Sequence, residues 1–337
     1  VSPGAAWRVL RRLSYWLLPP LLLGLVAVRV DLGQVAALLA RAGPAWWAMG
    51  LLASLSISTL GALRWHLLVA AGWTAGPRLH QTLPDYWRSL AAGLLLPGSL
   101  GQDGYRALAL TRHGAPLQAV LVRLLLEKLL ALMACVAVAG LATLGLHGAG
   151  PLASLGPAIA ALAAFLLLLL ALVRTTSAWG PAVAKRLPAE WGRHLVRPHR
   201  PAGGGLPGWP SWQAASTALL LSVLILLTSA LQAQCYFMAV GVQIDWRINL
   251  LVAPLLFVVL ALPLSFGGFG VRELAHVALY GVFAVEAEAA LAVSVLGLTG
   301  LALNWVLGTA LWVGRRGAVD SRAQGHDHGS AGTGHSG

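Results

Sequence analysis

The sequence predicts an all-α polytopic membrane protein, with about six full spans and two re-entrant or broken helical hairpins arranged as an inverted repeat. Three observations carry this. Apolar residues make up 58% of the chain and charged ones 10%, far from the balance of a soluble domain. Several uncharged runs reach the ~20 residues that cross a hydrocarbon core as helix. A glycine-rich elbow also occurs twice. Residues 96–106 read Leu96-Pro97-Gly98-Ser99-Leu100-Gly101-Gln102-Asp103-Gly104-Tyr105-Arg106, and residues 262–272 read Leu262-Pro263-Leu264-Ser265-Phe266-Gly267-Gly268-Phe269-Gly270-Val271-Arg272. A shift of 166 residues superimposes their Leu, Pro, Ser, two Gly and Arg.

Taken in order, Arg8, Arg11 and Arg12 precede an apolar run. Val26-Ala27-Val28 is a poor signal-cleavage site, so Leu13–Val30 reads as a retained first span. Span two starts after Gly43-Pro44 with Trp46-Trp47 and runs uncharged to Leu63, which is about 30 Å of helix, so Arg64 is expected to snorkel at the membrane face. Between Arg88 and Asp103 the uncharged stretch is only about 21 Å as helix, and Pro97, Gly98, Gly101 and Gly104 break it. A hairpin fits better than a crossing there. Span three, Pro116–Leu146, carries Arg123, Glu127 and Lys128, with Arg123 and Glu127 on one helical face. Span four is Pro151–Val173. The basic stretch 174–211 follows and reads as a cytoplasmic loop.

Span five is Trp212–Val240, and Ile248–Val285 holds the second elbow. Its return limb is about 18 Å long, too short to cross. Span six is Ala289–Val313. The integral membrane domain is therefore placed at 1–314, with repeat halves at about 13–146 and 151–313. Residues 315–337 read as a disordered cytoplasmic tail. His326, His328 and His335 in that tail suit a solvated segment better than a metal site. Three crossings per half is an odd number, so the second half is expected upside down, as in transporter folds with broken helices at the repeat interface.

The net charge of +12 suits positive-inside topology and anionic headgroups, and no nucleic-acid partner is inferred. Cys135 and Cys235 lie inside apolar runs and read as small core residues. No phosphate-binding loop, His-Glu-x-x-His or nucleophile elbow is present. No catalytic residue, metal ligand or cofactor is therefore expected.

The candidate binding residues are Arg106 and Arg272. Glycine-rich elbows leave backbone N–H groups free, and a guanidinium matches phosphate or carboxylate. In the competing reading each arginine only neutralises a local acid, Asp103 for Arg106 and Glu273 for Arg272. Glu127, beside Arg123 and Lys128, suits a proton-linked acid and a structural salt bridge equally. Glu273 and His276 share a helical face, which allows a relay, although an interfacial histidine is the simpler reading.

The segments Leu63–Gly72, Leu96–Leu110, Leu124–Leu132 and Leu262–Ala275 together resemble the lysylphosphatidylglycerol synthase transmembrane family, also called the flippase-like domain family or UPF0104. The best-understood relatives move an aminoacylated phospholipid between leaflets and are fused to a soluble synthase domain, which is not expected here. The resemblance implies a phospholipid or lipid-linked substrate and a flippase-like activity, with no enzymatic activity of the chain itself. It also implies a bacterial inner-membrane location with both termini cytoplasmic, and allows a separately encoded lipid-modifying partner. Gly101, Asp103 and Arg106 match the family's first motif, with Gly104 beside them in the elbow. Gly267, Gly268, Gly270, Arg272 and Glu273 match the second, and Glu127 matches a third position. Lys128 stands where relatives usually carry Arg. The alternatives at this stage are an ion-coupled transporter of a small anion and a non-catalytic membrane subunit.

Overall fold

The computed structural model describes residues 17–71, 73, 76–94, 96, 99–144, 162, 166, 210–262, 265 and 267–329, the stretch 315–329 as backbone. Among the described residues every regular element is a helix, and no strand occurs. The helices are α1 (Leu17–Arg29), α2 (Leu32–Ala40), α3 (Pro44–Ala70), α4 (Leu79–Ala92), α5 (Leu100–Arg112), α6 (Leu117–Leu144), α7 (Trp212–Ala239), α8 (Trp246–Ala261), α9 (Val271–Gly281) and α10 (Ala287–Gly329). By length and composition α3, α6, α7 and the first part of α10 can each cross a membrane.

Polarity is distributed inside out. Leu52, Leu141, Leu220 and Val306 are exposed, whereas Arg64, Arg106, Arg123, Glu127, Asn249 and Asn304 are buried. Lipid solvates the outward apolar side chains, and the polar ones find partners only within the bundle.

The first expected span is shorter and bent. α1 ends at Arg29 and turns by 89° into α2. Asp31 causes the break, because its carboxylate caps α2 by accepting from the N–H groups of Gly33 at 2.8 Å and Gln34 at 3.1 Å, and a capped helix start cannot continue the helix before it. The expected fourth span, Pro151–Val173, and the basic loop 174–211 lie outside the described residues, apart from isolated positions. At the other end α10 does not stop near Val313 but stays helical to Gly329, over much of the expected disordered tail. Extending a helix that already has a nucleus costs far less than starting one.

The repeat is visible in the packing. α3 packs on α4 as α7 packs on α8, α4 on α5 as α8 on α9, and α5 on α6 as α9 on α10. Across the halves, α4 meets α10 as α8 meets α6. The matched helices α3 and α7 lie against each other and run antiparallel. Gly43 N–H at the start of α3 donates to the Ala239 carbonyl at the end of α7 at 2.8 Å. Gln232 donates to the Gly50 carbonyl at 3.2 Å, and Arg64 near the end of α3 donates to Ser222 near the start of α7 at 3.1 Å. A small residue permits this contact. Gly50 lets α3 approach α7, while Gly61 makes room for Tyr86 of α4 and Ser54 lies against Gly300 of α10. A Cβ on Gly50 would stand 2.1 Å from the Tyr236 ring.

Both hairpins return to the side from which they start. His66 meets Thr82 at 3.1 Å, which sets the start of α4 beside the end of α3. Arg123, early in α6, reaches the Ala71 carbonyl at 3.4 Å, so α5 leads back to that same side. In the other half α8 starts beside the end of α7, and Tyr280 near the end of α9 donates to Asn249 near the start of α8 at 2.7 Å. With α3 and α7 antiparallel, the two elbows point at each other from opposite faces.

Candidate functional site

The two elbows reach the same path by different means. In the first, Gly101 lets α5 pack against the end of α4, since a Cβ there would stand 2.2 Å from the Ala92 carbonyl oxygen. In the second, Gly267, Gly268 and Gly270 have φ of +60°, +80° and +78°, the left-handed region in which a side chain is strained. Gly104 has open space around it and no such constraint. Pro97, Gly98, Pro263, Leu264 and Phe266 lie outside the described residues.

Behind the first elbow lies a buried ion network. Arg106 is 3% exposed, and its guanidinium donates to Glu127 Oε2 at 2.8 Å and to the Asp103 carboxylate. The same guanidinium faces the Trp65 ring at 4.8 Å and the Tyr86 ring at 5.5 Å. Arg64 donates to Glu127 Oε1 at 2.7 Å, so one carboxylate clamps two arginines and ties α3, α5 and α6 together. Lys128 reaches Asp103 Oδ2 at 3.2 Å, and Ser99 donates to the same oxygen at 2.8 Å. Such a network is strongly coupled, because removing one partner leaves a buried charge without compensation.

The second elbow is built otherwise. Glu273 makes no salt bridge to Arg272 among the described residues and acts on it only from a distance. Its Oε2 accepts the Gly270 N–H at 2.6 Å and caps α9. Among the described residues Arg272 takes part in no ion pair, and its buried Nε has no hydrogen-bond partner. The repeat explains this difference. The shift that carries Arg106 onto Arg272 carries Asp103 onto Phe269 and Glu127 onto Val293. The second half kept the cation and has apolar side chains where the first has acids.

Arg272 stands where two adjoining cavities meet. One, of 280 Å³, lies between the elbows and is lined by Ser99, Gln102, Arg106, Lys128, Gly267 and Gly268. The other, of 360 Å³, lies among α3, α7, α8, α9 and α10. Both are lined by Arg64 and Arg272. Cations therefore outnumber carboxylates at the space between the elbows, which suits an anion.

A family model described as lysylphosphatidylglycerol synthase TM region matches residues 16–308. The chain belongs to this family. It is thus a multi-pass membrane protein of a family linked to lipid metabolism. A comparison with curated proteins gives no match.

In this member of the family the expected site residues fall into distinct places. Arg106, Asp103, Glu127 and Lys128 come together, as do Gly267, Gly268 and Arg272 on the facing elbow. Arg123 is buried on α6 and donates to the Ala71 carbonyl, while Glu127 four residues on turns to Arg64 and Arg106. Gly270 packs against α1, where a Cβ would stand 2.8 Å from the Pro19 carbonyl oxygen. Among the described residues no hydrogen bond joins Glu273 to His276, whose Nδ1 lies 2.8 Å from the Arg272 carbonyl oxygen one turn back.

Arg64 is the main correction. The sequence places it at the membrane face, yet α3 continues past it to Ala70 and it points into the bundle. Trp65 beside it is buried, with the Arg106 guanidinium over its ring. No charge count could have found Arg64, because Asp103, Arg106, Glu127 and Lys128 already balance without it. Among the described residues no group of three or more His, Cys, Asp or Glu is placed to hold a metal ion.

Proposed function

We propose that the protein is a lipid translocase that moves an anionic phospholipid or lipid-linked substrate between leaflets, not an enzyme that transforms it. Arg272 carries this reading. It is a cation within the bundle that makes no salt bridge among the described residues, with only Glu273 acting on it from nearby, and it is held by a glycine elbow at the junction of two cavities. A buried charge left without a partner is costly unless a ligand supplies one. A phosphate at that position would accept its planar donor fork, with Arg64 and Lys128 lining the same space.

Arg106 then has a positioning role. Both of its terminal nitrogens are committed to carboxylates, so it fixes the first elbow against α6. The inverted halves supply the alternation. Each elbow reaches the midplane from its own face, and rocking one half against the other would expose the site first to one leaflet and then to the other. The basic stretch 174–211 orients the protein in a bacterial inner membrane with both termini in the cytoplasm. A separately encoded enzyme would make the substrate lipid.

The test is reconstitution in vesicles with fluorescent phospholipids, scoring leaflet exchange for the wild type and for Arg272→Ala. Loss of exchange in the variant supports the reading. Unchanged exchange, or flux of soluble anions with no lipid exchange, overturns it.

A further inference from the structure

The geometry points to the class of headgroup that this site takes: a phosphate ester of an uncharged, hydroxyl-bearing group such as a glycerol or other polyol. An aminoacylated, cationic headgroup is refused. This rests on the translocase reading above and narrows it.

The larger chamber supplies the argument. Among the described residues no Asp or Glu lines it, and its charged side chains are Arg64 and Arg272. Its remaining polar surface is neutral, from Ser54, Ser58, Ser229, Gln232 and Asn304 among others. The Ser58 hydroxyl has no hydrogen-bond partner among the described residues, although the residue is buried. Gln232 uses its amide nitrogen on the Gly50 carbonyl at 3.2 Å and the Tyr236 hydroxyl at 3.3 Å, which leaves its carbonyl oxygen to accept. A polyol hydroxyl satisfies both groups, donating to Gln232 and bonding to Ser58. A volume of 360 Å³ sits at the small end of ligand sites, which suits a headgroup whose acyl chains remain in the bilayer.

An ammonium group fares badly in either chamber. In the smaller one Asp103 already binds Arg106, Lys128 and Ser99, and Glu127 already binds Arg64 and Arg106. No carboxylate there is left for a further cation. The Tyr86 ring, a possible cation acceptor, is already faced by Arg106 at 5.5 Å. A headgroup amine would thus find only neutral acceptors and no free carboxylate, beside the guanidinium groups of Arg64 and Arg272 that disfavour a further cation.

The experiment uses the full chain in vesicles carrying acyl-labelled phosphatidylglycerol, its lysyl ester or phosphatidylethanolamine, with glycerol 3-phosphate as a soluble control. Phosphatidylglycerol is expected to exchange about tenfold faster than the two amine-bearing lipids, the size of one charge-assisted hydrogen bond. Ser58→Asp, which places a carboxylate in the chamber, is expected to narrow or reverse that preference. Equal or faster exchange of the lysyl ester by the wild type overturns the headgroup assignment and leaves the translocase reading standing. Movement of glycerol 3-phosphate without lipid exchange, or exchange of no lipid at all, overturns both.

Discussion

The guanidinium of Arg64 on α3 lies 2.7 Å from the carboxylate of Glu127 on α6, whose second oxygen holds Arg106 of the first elbow at 2.8 Å. This single acid determines where the elbow sits relative to the two spans beside it. In lipid the driving force for helix association is packing and polar contact rather than the hydrophobic effect, so such a clamp counts for more than its size suggests.

Glu127→Ala is therefore expected to destabilise the protein by about 3–5 kcal/mol, because it leaves the buried Arg64 without a carboxylate and takes one of two from Arg106. Thermal unfolding in detergent measures this. Adding Arg64→Met to that variant should recover part of the loss, since one orphaned charge is removed. A melting temperature equal to wild type would show that the clamp contributes nothing.

Arg272→Gln should behave oppositely. Among the described residues Arg272 makes no salt bridge that its loss would orphan, and Glu273 keeps its bond to the Gly270 N–H. Stability should stay within about 0.5 kcal/mol of wild type or rise, as for substitutions away from networks. Lipid exchange should fall about tenfold or more, the value of a hydrogen bond to a charged group. A large drop in melting temperature would reassign Arg272 to a structural role.

The first-elbow glycines provide an internal control. Gly101→Ala puts a Cβ 2.2 Å from the Ala92 carbonyl oxygen, whereas Gly104→Ala enters open space. The former should force the hairpin apart and lower both melting temperature and exchange. The latter should match wild type or gain slightly from the better helix former, by up to about 1 kcal/mol. Equal effects would mean that the close approach of α4 and α5 is not required.

Topology is tested by single cysteines at exposed turn positions. Arg78 and His113 flank the first hairpin, and Gln243 and Glu286 flank the second, all of them exposed. In Cys135→Ser/Cys235→Ser background, the first pair should react with an impermeant maleimide from one side of the membrane and the second pair from the other. Same-side labelling of all four would contradict the antiparallel arrangement of α3 and α7.

Much of this was legible along the chain. The apolar runs of α3, α6, α7 and α10 announce membrane helices, because hydrocarbon admits little other than helix. The two elbows mark themselves by Gly and Pro, and the stretch between Arg88 and Asp103 is too short to cross. The inverted repeat followed from those lengths and the shift of 166 residues. Asp103 and Arg106, three residues apart on α5, are paired by local helix geometry alone.

What the sequence by itself determined, then, were the local and periodic features: which segments are helices, where they break, and that the halves oppose each other. Only the tertiary structure decided how the charges are shared. Glu127 chose Arg64 and Arg106 on other helices, and Glu273 chose a backbone N–H over Arg272. Local spacing does not encode these choices, since buried charges take the partner that packing brings within reach. The physical result is an asymmetry that the repeated motif conceals, with Arg106 clamped by acids and Arg272 left facing the space between the elbows.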